Sequence, residues 1–158
     1  MTKFWKNKKV LLTGADGFVG SHLVDLLVSR GCEVTVMDNL CSESSSRDYM
    51  IEGVKYWIDD IRNINTYKYK EENFEVVYHL AALARIQPSF LDPLTYLSTD
   101  MMGTSNVLEY ARRNGSRVVY AGSSSAFGGP MLNPLQELNL EMDVRGKNQA
   151  LRVQELQK

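Results

Sequence analysis

Val10-Leu11-Leu12-Thr13-Gly14-Ala15-Asp16-Gly17-Phe18-Val19-Gly20 decides how this chain folds. A short apolar run enters three glycines spaced three apart, and a helical pattern begins at Phe18. Further on, a second apolar run from Glu33 to Met37 ends at the acidic Asp38. In a strand–turn–helix of this kind, Gly14 permits the tight turn and Gly17 lets a diphosphate reach the backbone. Gly20 lets the helix lie close on the strand. The helix start adds unpaired N–H groups and the positive end of a dipole. A carboxylate at Asp38 is placed to accept both hydroxyls of an adenosine ribose, and it would repel a 2′-phosphate. Glycine turns are common. The succession of strand, glycines, helix, strand and acid is what separates a dinucleotide site from a plain turn with a solvated aspartate. The pattern predicts NAD rather than NADP as cofactor.

Working outward, the periodicity predicts a helix over 18–30 with Val19, Leu23, Leu26 and Leu27 on its buried face, stopped by Gly31. Strands are expected over 8–13, 33–37, 54–58, 75–80 and 117–121. A serine-rich loop is expected over 39–48 and a polar, partly helical connection over 64–72. A long helix over 93–114 carries Leu97, Met101, Val107, Leu108 and Tyr110, and Gly115 ends it. Short apolar strands alternating with helices predict an α/β fold, with a parallel sheet covered on both faces. Ligands of such sheets sit at the carboxyl ends of the strands. Gly14 to Gly20, Asp38, Asp60, His79 to Ala82, and Ser123 to Ser125 all fall there.

The chain has 158 residues, 44% hydrophobic and 23% charged, which fits one soluble globular domain. A net charge of −1 gives no reason to expect nucleic acid or an anionic membrane as partner. No apolar run is long enough to span a bilayer. Met1 to Lys9 is basic but leads into the first strand without a signal-peptide core. Cys32 and Cys41 lack metal-ligand spacing, and no other cluster suggests a metal. Two free thiols point to the cytoplasm. After residue 129 the character changes. Pro130 to Lys158 has no aromatic, cysteine or histidine, and its charges cancel. The expected organisation is therefore a dinucleotide-binding domain over 1–129 and an atypical, partly helical tail over 130–158.

From Val10 to about Gly128 the chain resembles the extended short-chain dehydrogenase/reductase family, in its nucleotide-sugar epimerase and dehydratase branch. Thr13 to Leu23 resembles the family's cofactor loop, and Asp38-Asn39-Leu40 its ribose-binding strand end. Asp60-Ile61-Arg62 is similar to the segment that contacts adenine. His79-Leu80-Ala81-Ala82 is similar to the fourth-strand signature, where small residues let the cofactor lie against the backbone. Gly103-Thr104 with Asn106, Leu108 and Glu109 resembles the central helix, and Val119 to Gly128 the segment bearing the catalytic serine. The resemblance implies a Rossmann-like doubly wound sheet, incomplete relative to the family. It implies NAD held by Gly14, Asp16, Gly17, Phe18, Val19, Gly20, Asp38, Asn39, Asp60, Ile61, Leu80, Ala81 and Ala82. It also implies a nucleotide-sugar substrate, a homodimer built partly on the helix around 93–114, and reversible hydride transfer at a sugar carbon. Ser123 falls on the position that hydrogen-bonds the reacting oxygen, with Ser124 and Ser125 as alternatives. The resemblance gives His79 a structural role, and His22, in the first helix, reads as structural or surface. UDP-sugar 4-epimerisation is the leading expectation, from Asp38-Asn39-Leu40 and the Ala84 to Ser89 segment.

The sequence also departs from the family. The tyrosine and lysine of a Tyr-x-x-x-Lys pair should follow the serine segment, yet no tyrosine occurs after Tyr120, and Asp143 stands four residues before Lys147. Asp100 stands where the family usually has Asn, and Phe127 where it often has Tyr. Without later strands, the sheet would keep an open edge and an uncovered apolar face. The alternatives are a non-catalytic dinucleotide-binding module or an inactive truncated remnant, such as a fragment or a shifted reading frame.

Overall fold

The computed structural model describes residues 4–42, 50–69 and 71–123. In chain order they form β1 (Lys9–Thr13), α1 (Phe18–Ser29), β2 (Glu33–Asp38), β3 (Lys55–Ile58), β4 (Val76–His79), α2 (Ile86–Leu91), α3 (Pro93–Leu97), α4 (Thr104–Asn114) and β5 (Arg117–Tyr120). Two 3-10 turns, Ile61–Asn63 and Tyr67–Tyr69, lie between β3 and β4, and a π-helical stretch, Ser98–Gly103, joins α3 to α4.

All strands pair in parallel, in the order β3-β2-β1-β4-β5. The chain runs outward from β1 to β3 and then returns to β4 on the far side of β1. That reversal is the doubly wound, Rossmann-like arrangement, and it opens a crevice at the carboxyl ends of β1 and β4. β1 is central because it is apolar on both faces: Val10, Leu11 and Leu12 are all fully buried. Each contributes about 1.5–3 kcal/mol of burial. Val10 and Leu12 pack under α1 with Val24, Leu27, Val34 and Val36. Leu11 faces the opposite layer with Met37, Trp57, Val77, Val107 and Tyr110.

Two expectations about helix faces are corrected. In α1 the buried residues are Gly20, Val24 and Leu27, whereas Val19 and Leu26 are exposed and Leu23 is half-buried. The rotation of α1 is set by Gly20, where a Cβ would collide with the Gly14 carbonyl oxygen and Ala15 Cα. The close approach fixes which face meets the sheet, and Val24 and Leu27 follow at i+4 and i+7. The second correction concerns 93–114, which is not one uniform helix. The π-helical stretch displaces the apolar stripe, so Val107, Tyr110 and Ala111 are buried while Leu94, Leu97, Met101 and Met102 stand exposed. Ile86, Phe90 and Leu91 of α2, an additional helix, extend the same exposed apolar surface. Gly103 lies so close to Ile61 that a Cβ would come within 2.5 Å of its Cδ1. This contact seats the first 3-10 turn on the π-helical stretch.

Candidate dinucleotide-binding site

The glycine turn is held by the backbone of its neighbours. The Gly14 N–H donates to the Met37 carbonyl at 3.0 Å, and the Leu80 N–H donates to the Thr13 carbonyl at 3.1 Å. Gly14 has φ +74, and a Cβ there would lie 2.5 Å from the Ala81 nitrogen, so both conformation and space require glycine. Gly17 differs, since a Cβ would meet only the Gly14 carbonyl oxygen, at 3.5 Å. The turn therefore presents open space at Gly17, at the start of α1. That helix has no side-chain N-cap bond and no acidic residue in its first turn. An anionic diphosphate fits such an end. Phe18 and Val19 stand exposed beside it.

Asp38 closes one side of the turn. Its Oδ2 accepts the Asp16 N–H at 3.0 Å and its Oδ1 accepts the Leu40 N–H at 2.8 Å. Each oxygen keeps a further lone pair for a ligand hydroxyl. Asp60 lies nearby through Asn39, whose Nδ2 donates to Asp60 Oδ2 at 3.1 Å. The bidentate Arg62 guanidinium, then its backbone N–H and charge, hold the Asp60 carboxyl below the usual range against the opposing effect of burial. Asp59 is engaged by Asn63, Lys68 and Tyr69. Burial raises its pKa, but bonds from Asn63, Tyr69, the Asp60 N–H and Lys68 outweigh this and bring it to about 2.

β4 supplies the opposite wall. His79 is buried, with Nδ1 2.7 Å from Thr13 Oγ1 and Nε2 2.9 Å from Thr104 Oγ1. Thr13 Oγ1 also accepts the Ala81 N–H at 3.3 Å. One arrangement satisfies all three contacts: the Thr13 hydroxyl donates to Nδ1, and Nε2–H donates to Thr104. Desolvation lowers the His79 pKa to about 4, against a smaller upward pull from Asp100. The ring is a neutral strut, as its sequence setting suggests. Asp100 uses its own Oδ1 to accept the Leu83 N–H at 2.9 Å, fixing the chain that leaves β4. Thr13, Thr104 and Asp100 carry no sequence signal as partners of β4, because their bonds join residues far apart in the chain.

The turn at Gly14, Asp38 and the Leu80–Ala82 segment are thus brought together at the carboxyl ends of β1, β2 and β4. Ser123 follows β5 at the same edge of the sheet and is exposed. Ser124 and Ser125, and the tail over 130–158, lie outside the described residues. His22 is exposed and bonds the Phe18 carbonyl through Nδ1 at 2.8 Å. A cavity of about 320 Å³ also opens beside α1, lined by Asp16, Asp38, Leu40, Met50 and Tyr56 among others. It shares Asp16 and Asp38 with the turn, and neither Gly14, Gly17 nor Leu80–Ala82 lines it. Among the described residues there is no cluster of His, Cys, Asp or Glu able to hold a metal, and no helix long and apolar enough to cross a membrane.

Comparison with known proteins agrees with this geometry. UDP-glucuronic acid decarboxylase 1 of Danio rerio is 37% identical over 134 residues, covering 82% of this chain and 31% of that protein. An epimerase structure from Methanothermobacter thermautotrophicus superposes with a TM-score of 0.76 at 31% identity, covering 86% of this chain and 41% of that one. The UDP-glucose 4-epimerase of Thermus thermophilus, solved in complex with NAD, gives a TM-score of 0.63 at 33% identity, covering 73% of this chain and 37% of that one. The chain thus spans less than half the length of these relatives. The family model that matches it covers residues 10–148. By that match over most of its length, the chain belongs to the NAD dependent epimerase/dehydratase family.

Proposed function

We propose that this chain supplies the NAD-binding part of a nucleotide-sugar enzyme that works by reversible hydride transfer at a sugar carbon. UDP-sugar 4-epimerisation is the leading assignment. The observation that carries the reading is the crevice itself: an uncapped helix start at an open Gly17, with the Asp38 carboxylate bonded to the turn through Asp16. The diphosphate would lie over Gly14 to Gly20, near Phe18 and Val19, and the adenosine ribose against Asp38 and Asn39. The adenine would lie along Asp60-Ile61, and the rest of the cofactor against Leu80, Ala81 and Ala82. When bound, NAD supplies the hydride acceptor and donor. This chain's residues bind and orient it, and Ser123 would hydrogen-bond the reacting sugar oxygen. The 37% identity to a UDP-glucuronic acid decarboxylase supports a second reading, in which the substrate is a UDP-uronic acid. The exposed apolar surface of α2, α3 and the π-helical stretch supports a homodimer, and the free Cys32 and Cys41 support a cytoplasmic location.

The test is calorimetric titration of NAD into the 158-residue chain, with Asp38→Ala alongside. Binding weakened about tenfold or more by the substitution is expected. No heat and no thermal stabilisation by NAD would overturn the reading.

A further inference from the structure

The Asp60 carboxylate is fully engaged by protein. Its Oδ1 accepts the Arg62 backbone N–H at 2.9 Å and Arg62 Nε at 2.8 Å. Its Oδ2 accepts Arg62 Nη2 at 2.8 Å and Asn39 Nδ2 at 3.1 Å. These donors fix the orientation of the carboxylate beside the turn. Asn39 is held at both ends, because its Oδ1 accepts the Cys41 N–H at 3.2 Å. Between them Leu40 has φ 56, a left-handed conformation that a leucine adopts only under constraint. The Leu40 N–H is one of the two backbone donors on Asp38. Arg62 is anchored in turn: Nη1 donates to Ser98 Oγ at 3.0 Å, and its carbonyl accepts Asn106 Nδ2 at 2.8 Å.

We propose that Arg62 is a positioning residue for the ribose-binding carboxylate. Its guanidinium fixes Asp60, Asp60 fixes Asn39, and Asn39 holds the left-handed turn at Leu40 that aims Asp38 at the adenosine ribose. Asp60 thus acts through Asn39. The inference rests on the NAD-binding reading above. The planar fork is essential, since a lysine ammonium would not span both Asp60 oxygens. A plain surface ion pair is the competing account. The side chains are 39% exposed for Arg62 and 16% for Asp60, and such a pair adds little to folding. The proposal therefore predicts a defect in binding rather than in stability.

The test uses the 158-residue chain and two probes, NAD and its analogue lacking the adenosine 2′-hydroxyl. The unsubstituted protein should favour NAD by about tenfold. Arg62→Ala should weaken NAD by about tenfold and the 2′-deoxy analogue, which keeps only its 3′-hydroxyl for Asp38, distinctly less, so that the preference between the two ligands narrows. Arg62→Lys should not restore the difference. Because Asn39 also faces the ribose, the link is read from the double variant: Arg62→Ala should cost no further NAD affinity once Asn39→Ala is in place, and Arg62→Gln carries the test if Arg62→Ala does not fold. Equal losses for both ligands, or an unchanged NAD affinity in the folded variants, would overturn the proposal. Failure of the unsubstituted chain to bind NAD would overturn the cofactor reading, and this inference with it.

Discussion

His79 and Thr13 are locked side chain to side chain, with Nδ1 2.7 Å from Oγ1 and both residues buried. The pair ties β4 to the last residue of β1, just before the glycine turn. It also makes stability depend on pH. Desolvation holds the folded His79 pKa at about 4, below the ordinary histidine value of 6.5. Between these values the unfolded chain binds a proton that the folded chain refuses, so this contribution is complete above pH 6.5 and is lost as pH falls toward 4. Urea denaturation at pH 7 and pH 5 should show a loss of about 2 kcal/mol that His79→Asn lacks. Equal losses in both proteins would remove His79 as the source.

Gly14 and Gly115 both have positive φ, but only Gly14 is crowded, by Ala81 and Leu80. Around Gly115 nothing lies within 4 Å of the added Cβ. Gly115→Ala should cost about 1 kcal/mol, the left-handed backbone alone. Gly14→Ala should cost more than about 2 kcal/mol, since β4 must also move. Similar midpoints in chemical denaturation would show that the contact with Ala81 relaxes freely.

Asp38 should discriminate between dinucleotides by charge. Replacing it with serine keeps a hydrogen-bonding group and removes the repulsion toward a 2′-phosphate. The preference for NAD over NADP should fall by about tenfold or more. An unaltered ratio of the two dissociation constants would count against a ribose at Asp38.

The apolar surface of α3 and the π-helical stretch should drive self-association. Leu94 and Met101 are 77% and 63% exposed, and large exposed apolar side chains grouped on neighbouring helical segments mark an interaction surface. Sedimentation velocity should show concentration-dependent association, and Leu94→Glu with Met101→Glu should shift the chain toward monomer. A monomer at every concentration before substitution would refute the assignment.

The β1–turn–α1 unit and the Asp38 strand end are legible in the sequence because their chemistry is local. Glycine spacing, strand length and a terminal acid all lie within one stretch of chain. The buried face of α1 is not legible, for a physical reason. Val19 and Leu26 are as apolar as Val24 and Leu27, so composition alone does not orient the helix. The steric limit at Gly20 does, and it depends on where the Gly14 carbonyl ends up in space. Leu97 and Met101 read as core because a helix continuing at regular pitch would place them in line with Leu108. The π-helical stretch breaks that pitch. The Asn39–Asp60–Arg62 chain has no sequence signal beyond the adjacency of Asp60 and Arg62, since its partners are brought together by strands β2 and β3 lying side by side.

The ring cluster on β3 has a spectroscopic consequence. Trp57 lies 4.3 Å from Tyr69 and 5.6 Å from Phe74 by ring centroids, in the layer beneath α4. Trp5, the other tryptophan, packs on the opposite side of the sheet, against the α1 layer. Each layer therefore carries its own fluorophore. In Trp5→Phe, emission follows the α4 side alone, with Tyr69 placed to pass excitation to Trp57. In Trp57→Phe it follows the α1 side. Coincident melting curves from the two single-tryptophan proteins would show that both layers unfold as one cooperative unit; separated curves would identify the layer that opens first.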